Sequence, residues 1–315
     1  MQLFKLKYFY YLLRASRPRQ WIKNGILFAA LVFNEELFNL EYFLKTFVAF
    51  LYFCGISSAI YIINDCFDYE KDRLHPIKKN RPVASGLLPL GVAWFFAIFL
   101  LILLIPASFL FVGKFFGIVV SMYVLLQFAY NALLKRLIII DALAIAGGFI
   151  LRAYAGALAI PLSVSSWLVL AITGVSLLLA FGKRRAERTL LEAQGMSNDS
   201  TRAILKHYPD TLLDSMISVS ASMCIVTYSL FTFFVSPENL RNDYLSSLLP
   251  HTLVGVRFLM LTIPVVIYLV ARYLYVIYEK REGESPERVL LNDKPLFYSG
   301  IVWVVMIILI TGFQH

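Results

Sequence analysis

The sequence predicts an all-α polytopic membrane protein, and three observations carry that prediction. Apolar runs of about 20 residues recur along the chain, each long enough to cross a hydrocarbon core of about 30 Å as a helix. Charge is scarce: 16% of the 315 residues are charged and 59% hydrophobic, with a mean hydropathy of +0.72, whereas a soluble domain carries about a quarter of its residues charged. The charges that are present cluster in particular connections. Nine spans are expected, at about 22–38, 43–63, 87–106, 115–133, 141–160, 165–182, 213–235, 252–276 and 296–313. The first is the weakest, being short and followed by Glu35 and Glu36.

Residues 1–23 are basic and aromatic and lack a small-residue cleavage site, so no cleaved signal peptide is expected. Residues 1–20 read as an interfacial, cytoplasmic segment. With alternating connections assigned to one side, that side holds 24 of the 29 lysines and arginines. By the positive-inside rule the N-terminus is cytoplasmic and the C-terminus outside, in a multi-pass cell-membrane protein. Outer connections such as "IPLSVSS" are short and nearly uncharged, while the inner ones at 64–86 and 183–212 are long and charged. Functional loops are usually of the second kind. With no low-complexity tract and no clean repeat, residues 1–315 read as a single domain. Cys54, Cys66 and Cys224 lie far apart and the four histidines are scattered, which argues against a disulfide framework and a zinc site.

The stretch "NDCFDYEKDRLHPIKKNRPVASG" follows the second expected span and opens with Asn64, Asp65, Asp68 and Asp72. Positions i, i+3 and i+7 put the three carboxylates on one face of a helix. Carboxylates on one stripe repel each other unless a cation sits among them. Mg²⁺, a hard ion usually held by one or two carboxylates together with substrate phosphates, suits that place. The plain alternative is a solvated loop in which Asp68 and Asp72 pair with Lys71 or Arg73.

Anion-binding side chains recur wherever the chain returns to the same side. "SRPRQWIKN" supplies Arg17, Arg19, Gln20, Lys23 and Asn24, and "HPIKKNRP" supplies Lys78 and Arg81. "YNALLKRLIIID" brings Tyr130, Asn131, Lys135 and Asp141; "FGKRRAER" brings Lys183, Arg184 and Glu187, with Arg202 and Tyr208 beyond. Arginine forks and lysine point charges are what multiply charged phosphates require. Arg152, about halfway along a span, needs a partner or a wet cavity; Asp141, Glu187 or a substrate phosphate are the candidates. Some of these cations are topogenic or bind anionic headgroups, and Lys183 with Glu187 at i, i+4 also suits a simple ion pair.

Together these motifs resemble the UbiA superfamily of intramembrane prenyltransferases, whose first acidic motif has the form NDxxDxxxD and holds Mg²⁺ and diphosphate. "SRPRQWIKNGILFAALVF", "HPIKKNRPVASG", "DALAIAGGFILRAYAGALA", "FGKRRAE" and "ARYLYVIYEKREGESPERVLLNDKPL" are similar to one branch, the polyprenyl-phosphate (decaprenyl-phosphate) phosphoribosyltransferases. The resemblance runs from about residue 16 to 298. It implies about nine helices around a central cavity open to the cytoplasmic side. Prenyltransferases of the superfamily carry a second acidic motif just after the sixth span; here that position reads "GKRRAE". Asp210 and Asp214 have DxxxD spacing but come later. A cationic cluster there suits a donor with an additional phosphate, as in phosphoribosyl pyrophosphate.

The resemblance therefore implies Mg²⁺-dependent transfer of 5-phosphoribosyl from phosphoribosyl pyrophosphate to a membrane polyprenyl phosphate. Asp65, Asp68 and Asp72 would hold the metal, Lys183, Arg184 and Lys135 the donor phosphates, and Arg17, Lys23 or Arg152 the lipid phosphate. Gln20, Asn64, Lys78, Arg81, Tyr130, Asn131, Asp141, Glu187, Arg202 and Tyr208 complete the expected binding set. No nucleic-acid partner is expected, and surface Phe and Tyr suit an oligomer interface as well as lipid. Two other readings stand beside this one: a prenyl diphosphate:aromatic acceptor prenyltransferase, and a transporter or lipid-binding protein.

Overall fold

The computed structural model describes residues 2–74, 78–193, 208–235, 257–279 and 286–312, and among them every regular element is helical. A short helix α1 (Gln2–Ala15) leads into a 3₁₀ segment (Pro18–Phe28) and α2 (Ala29–Phe33). The chain continues through α3 (Leu40–Phe67), α4 (Tyr69–Leu74), α5 (Leu90–Ala107), α6 (Lys114–Ala132) and α7 (Ile140–Ala159). Then follow α8 (Ser166–Ala193), α9 (Asp210–Val235), α10 (Ile263–Tyr278), α11 (Pro286–Asn292) and α12 (Lys294–Gly312). Eight helical segments among the described residues are long and apolar enough to cross a membrane: those built on α3, α5, α6, α7, α8, α9, α10 and α12. The protein is a multi-pass membrane protein.

The expected span at 22–38 is not a regular helix, which corrects the sequence reading. Arg17 turns the chain at φ 51°, Pro18 opens the 3₁₀ segment, and α2 ends at Phe33. A 3₁₀ helix rises about 2.0 Å per residue and an α-helix about 1.5 Å, so residues 18–33 still extend roughly 30 Å. The reason for the geometry lies across the interface. Buried small residues line α7, including Ala144, Gly148, Ala155, Gly156 and Ala159, and small residues let backbones approach closely in membranes. At Gly156 a Cβ would overlap the carbonyl of Leu27.

Two buried apolar clusters meet at α7. Ala142 and Ala153 pack with α8, α9 and α10; Ala155 and Ala159 pack with α3, α5 and α6. Helices α8 and α9 touch backbone to backbone, since a Cβ on Gly174 would lie 2.7 Å from the Cys224 nitrogen. By contrast α5 leaves Phe95, Ile102 and Leu103 exposed, and α12 exposes Val302 and Val305, as lipid-facing helices do. The turn between α5 and α6 closes at Gly113, whose φ of 151° suits glycine.

Helix direction sets where charge collects. The C-terminal ends of α3, α6 and α8 and the N-terminal end of α7 exchange polar contacts, so they share one end of the bundle. The N-terminal end of α9 and the C-terminal end of α10 join them through Asp214. Among the described residues, the acidic motif and the cationic segments at Arg17, Arg81, Lys135 and Lys183–Arg185 lie at this end, while Arg152 sits within α7.

Candidate active site at the charged end of the bundle

Helix α3 does not continue through the acidic motif. It ends at Phe67, Asp68 occupies its cap at φ −93° and ψ 8°, and α4 starts at Tyr69. The expected single-helix stripe is therefore corrected to a break, and the break sends the carboxylates in different directions. Asp65 and Asp72 are buried and meet across the break at one guanidinium: Arg81 donates to Asp65 Oδ1 at 3.1 Å and to Asp72 Oδ2 at 2.5 Å. Arg17 also donates to Asp65 Oδ1 and lies over the Tyr61 ring. Asp68 instead accepts from Lys135 at 2.8 Å. Burial pushes the Asp72 carboxyl up, and the Arg81 charge draws it back. The local pairing of Asp68 and Asp72 with Lys71 or Arg73 is replaced by these longer-range partners. Asn64 sits half-buried in the last turn of α3, and Lys78 is near enough to Asp72 to act on it electrostatically.

A second cluster is centred on Arg184, which is fully enclosed. Its Nε lies 2.9 Å from Asp141 Oδ2, a charge contact without hydrogen-bond alignment. Nη1 donates to Glu187, and Nη2 lies 3.5 Å from the Tyr130 hydroxyl. Tyr208 donates to Asp141 Oδ1 at 2.7 Å and accepts from the Ile139 amide at 2.6 Å. That bond fixes Ile139 at φ 67°, which β-branched residues rarely adopt. Burial and the Asp141 hydrogen bond hold the Tyr208 phenol above its usual range. The expectation that Arg184 meets a donor phosphate does not match its surroundings, because no part of its side chain reaches the surface. Lys183 and Glu187 do: their side chains are 36% and 13% exposed, with Lys183 Nζ 4.0 Å from Glu187 Oε1.

Lys135, in the turn after α6, bridges the two clusters in sequence: Tyr130 and the buried Asn131 precede it and Asp141 follows. Gln20 and Lys23 lie half-buried on the 3₁₀ segment, with Lys23 Nζ 3.3 Å from Gln20 Oε1. Arg202 lies outside the described residues.

Arg152 is buried among neutral partners, and neither Asp141 nor Glu187 reaches it. It donates to Asn24 Oδ1 at 2.9 Å, to the Gly148 carbonyl at 3.0 Å and to the Tyr123 hydroxyl at 2.7 Å. Its guanidinium also stacks near the Tyr123 and Phe149 rings. Asn24 in turn donates to Ser57 at 3.2 Å. One knot thus ties the 3₁₀ segment, α3, α6 and α7 together. The sequence flagged Arg152 but not Tyr123, because a neutral partner inside a span has no charge signature.

Further polar ties complete this end. Arg185 reaches Asp210 and Asp214 at 3.1 and 3.0 Å, and Arg188 reaches Asp210 at 3.0 Å. The late DxxxD pair is therefore bound by arginines of α8. Arg272 holds Asp293 through two parallel 3.0 Å bonds, and Asp293 accepts the Leu296 amide at the start of α12. Neither arrangement was legible beforehand; only the (i, i+3) spacing of Arg185 and Arg188 hinted at a shared face.

Asp65, Asp68 and Asp72 offer the hard oxygens that Mg²⁺ takes. Among the described residues, no three acidic, His or Cys side chains already stand as a ligating group. Three carboxylates are matched by Arg17, Arg81 and Lys135. A divalent ion alone would have to displace those cations. An ion arriving with a diphosphate fits better, since the displaced cations gain phosphate partners.

The UbiA prenyltransferase family model matches residues 25–301, most of the chain. The chain belongs to the UbiA prenyltransferase family. A decaprenyl-phosphate phosphoribosyltransferase of Corynebacterium glutamicum is 33% identical over 303 residues, covering 95% of this chain and 86% of that protein. One from Mycolicibacterium smegmatis is 36% identical over 70% of each chain, and one from Mycobacterium tuberculosis is 29% identical over 93% and 92%. Among solved structures, a UbiA homologue from Archaeoglobus fulgidus bound to GPP and Mg²⁺ superposes with a TM-score of 0.63 at 16% identity, covering 96% of this chain and 98% of that one. That likeness speaks to the fold. In this UbiA chain, the acidic motif and the cationic α8 segment are joined at one end of the bundle.

Proposed function

We propose that the protein transfers 5-phosphoribosyl from phosphoribosyl pyrophosphate to the phosphate of a membrane polyprenyl phosphate, with Mg²⁺ and release of diphosphate. The observation that carries this reading is the pairing of a UbiA acidic motif with an α8 cluster that presents Lys183 at its exposed face. The names of the relatives support the same donor and acceptor classes.

In the reaction the C1–O bond to the diphosphate breaks and an acceptor phosphate oxygen forms the new bond to C1. The ribosyl centre gains oxocarbenium-like character, as in other glycosyl transfers. Asp65, Asp68 and Asp72 would hold Mg²⁺, which when bound would supply charge neutralisation for the leaving diphosphate. Arg17, Arg81 and Lys135, released from those carboxylates, take phosphate oxygens. Lys183 takes the donor's 5-phosphate, and Lys23 with Gln20 takes the lipid phosphate. An acceptor phosphate carries about −1.5 to −2 charge near neutral pH, so no strong general base is required. The main task is to hold two anions together, and preorganised cations do that. The charged end faces the cytoplasm in this reading, with the N-terminus on that side, and the site opens into a central cavity.

Purified protein in detergent with Mg²⁺ and a polyprenyl phosphate is expected to release diphosphate from phosphoribosyl pyrophosphate and to form a phosphoribosylated lipid. Consumption of a polyprenyl diphosphate with an aromatic acceptor, and none of the ribosyl donor, would replace this reading with a prenyl transfer.

A further inference from the structure

Arg184, Glu187 and Lys183 occupy adjacent positions near the end of α8, yet their environments differ sharply. Arg184 is fully enclosed, and its charge is taken up by Asp141 and Glu187. Asp141 is itself buried and is fixed from the other side by Tyr208. Enclosing an arginine with two carboxylates and two phenols is an expensive arrangement, since removing charges from water costs several kcal/mol per ion. Its geometric product is a carboxylate held at a defined position, its side chain 13% exposed, beside the more accessible Lys183.

A surface that only collected phosphate would gain nothing from a carboxylate at its rim, since phosphate and carboxylate repel. A rigid acceptor next to a lysine instead matches a phosphorylated polyol. The lysine takes the phosphate, and the carboxylate accepts from hydroxyls, as acidic side chains do from ribose in dinucleotide sites. Resting on the donor assigned above, we propose that Glu187 determines sugar specificity: set by the buried Arg184, it accepts hydrogen bonds from the ribose hydroxyls while Lys183 holds the 5-phosphate. Arg184 is then a positioning residue that acts through Glu187.

The test compares phosphoribosyl pyrophosphate with its 3-deoxy analogue. The 3-hydroxyl is the informative one, because the 2-hydroxyl adjoins C1 and its removal changes reactivity by itself. Hydrogen bonds to charged groups set the scale: the wild type should favour the hydroxylated donor by roughly 10- to 100-fold in kcat/KM. Glu187→Gln should compress that ratio severalfold, because use of the normal donor falls more than use of the deoxy donor. An unchanged ratio, with both donors losing equally, would overturn the proposal and assign the carboxylate to the developing cation or to the scaffold. If the variant fails to fold, the wild type alone decides through competition: ribose 5-phosphate should inhibit roughly 10-fold more strongly than its 3-deoxy counterpart, and equal inhibition would overturn the assignment. Absence of phosphoribosyl transfer by the folded wild type is a different failure, which removes the underlying activity and this assignment with it.

Discussion

A single Arg81 nitrogen bridges Asp65 and Asp72, at 3.1 and 2.5 Å, across the break between α3 and α4. The guanidinium stands among the carboxylates proposed to hold the metal, so metal and cation compete for the same oxygens. Mg²⁺ alone is expected to bind weakly and to bind at least tenfold more tightly with phosphoribosyl pyrophosphate, because diphosphate gives Arg17, Arg81 and Lys135 new partners. Arg81→Ala should narrow that gap, raising affinity for the ion alone while lowering kcat/KM. Titration calorimetry with and without donor checks both. Equal Mg²⁺ affinity in the two wild-type titrations would count against the exchange.

Asp65 and Asp210 both begin acidic patterns, but their surroundings predict opposite outcomes on substitution. Asp65 is buried at the α3 end, whereas the Asp210 and Asp214 side chains are 39% and 41% exposed and paired with Arg185 and Arg188. Exposed ion pairs contribute about 0–1 kcal/mol each. Asp65→Asn or Asp68→Asn should therefore lower diphosphate release more than about 100-fold in folded protein, on the scale of losing one preorganised electrostatic group. The Asp210→Asn/Asp214→Asn double variant should stay within a few-fold of wild type. Loss of turnover in the double variant would instead make the later pair a working acidic motif.

The two buried arginines allow an ordering of stabilities. Removing Arg184 strands Asp141 and Glu187, and breaking a buried ion pair from one side costs about 3–5 kcal/mol. Removing Arg152 touches only neutral acceptors: the Gly148 carbonyl keeps its amide partner within α7 and Asn24 keeps its bond to Ser57, so the loss is that of about one stranded neutral group, about 1–3 kcal/mol. Arg184→Met should thus lower the unfolding midpoint in detergent more than Arg152→Met, and Tyr123→Phe, which keeps the stacking ring, should lower it least. The reverse order for the two arginine variants would contradict the charge assignment.

These residues also show what a sequence conveys. The crossings at α3, α5 to α10 and α12 were legible, because a long apolar run in a chain this poor in charge has few alternatives. The segment at 18–33 was not, since hydropathy does not distinguish 3₁₀ from α geometry when the deciding contact is Leu27 against Gly156. Asp65, Asp68 and Asp72 were legible as residue types at one end of a span, but the break at Asp68 depends on distant partners, Arg81 and Lys135. Within "GKRRAER" every cation looks alike. Rotation about α8 buries Arg184, leaves Lys183 accessible and directs Arg185 to α9, so the roles separate only once the neighbouring helices are in place.

The contact between Gly156 and Leu27 ties the 3₁₀ segment to α7, and through it the placement of Arg17, Gln20 and Lys23. A Cβ at Gly156 would overlap backbone atoms of Leu27, which cannot turn aside as a flexible side chain would. Gly156→Ala must therefore push residues 18–28 away from α7, straining the Arg152–Asn24 bond and shifting the basic side chains that precede and follow Pro18. Overpacking of this kind costs about 1–3 kcal/mol or more, so the variant should unfold at a lower temperature. If it folds, its KM for the polyprenyl phosphate should rise severalfold more than its KM for phosphoribosyl pyrophosphate, because Lys23 and Gln20 both ride on the displaced segment, whereas of the donor's cations only Arg17 borders it and Arg81, Lys135 and Lys183 do not. Steady-state kinetics with each substrate varied in turn provide the check; a change confined to the ribosyl donor would separate the 3₁₀ segment from the lipid phosphate. Gly25, on the same segment with open space around it, is the control: Gly25→Ala should leave both constants close to wild type.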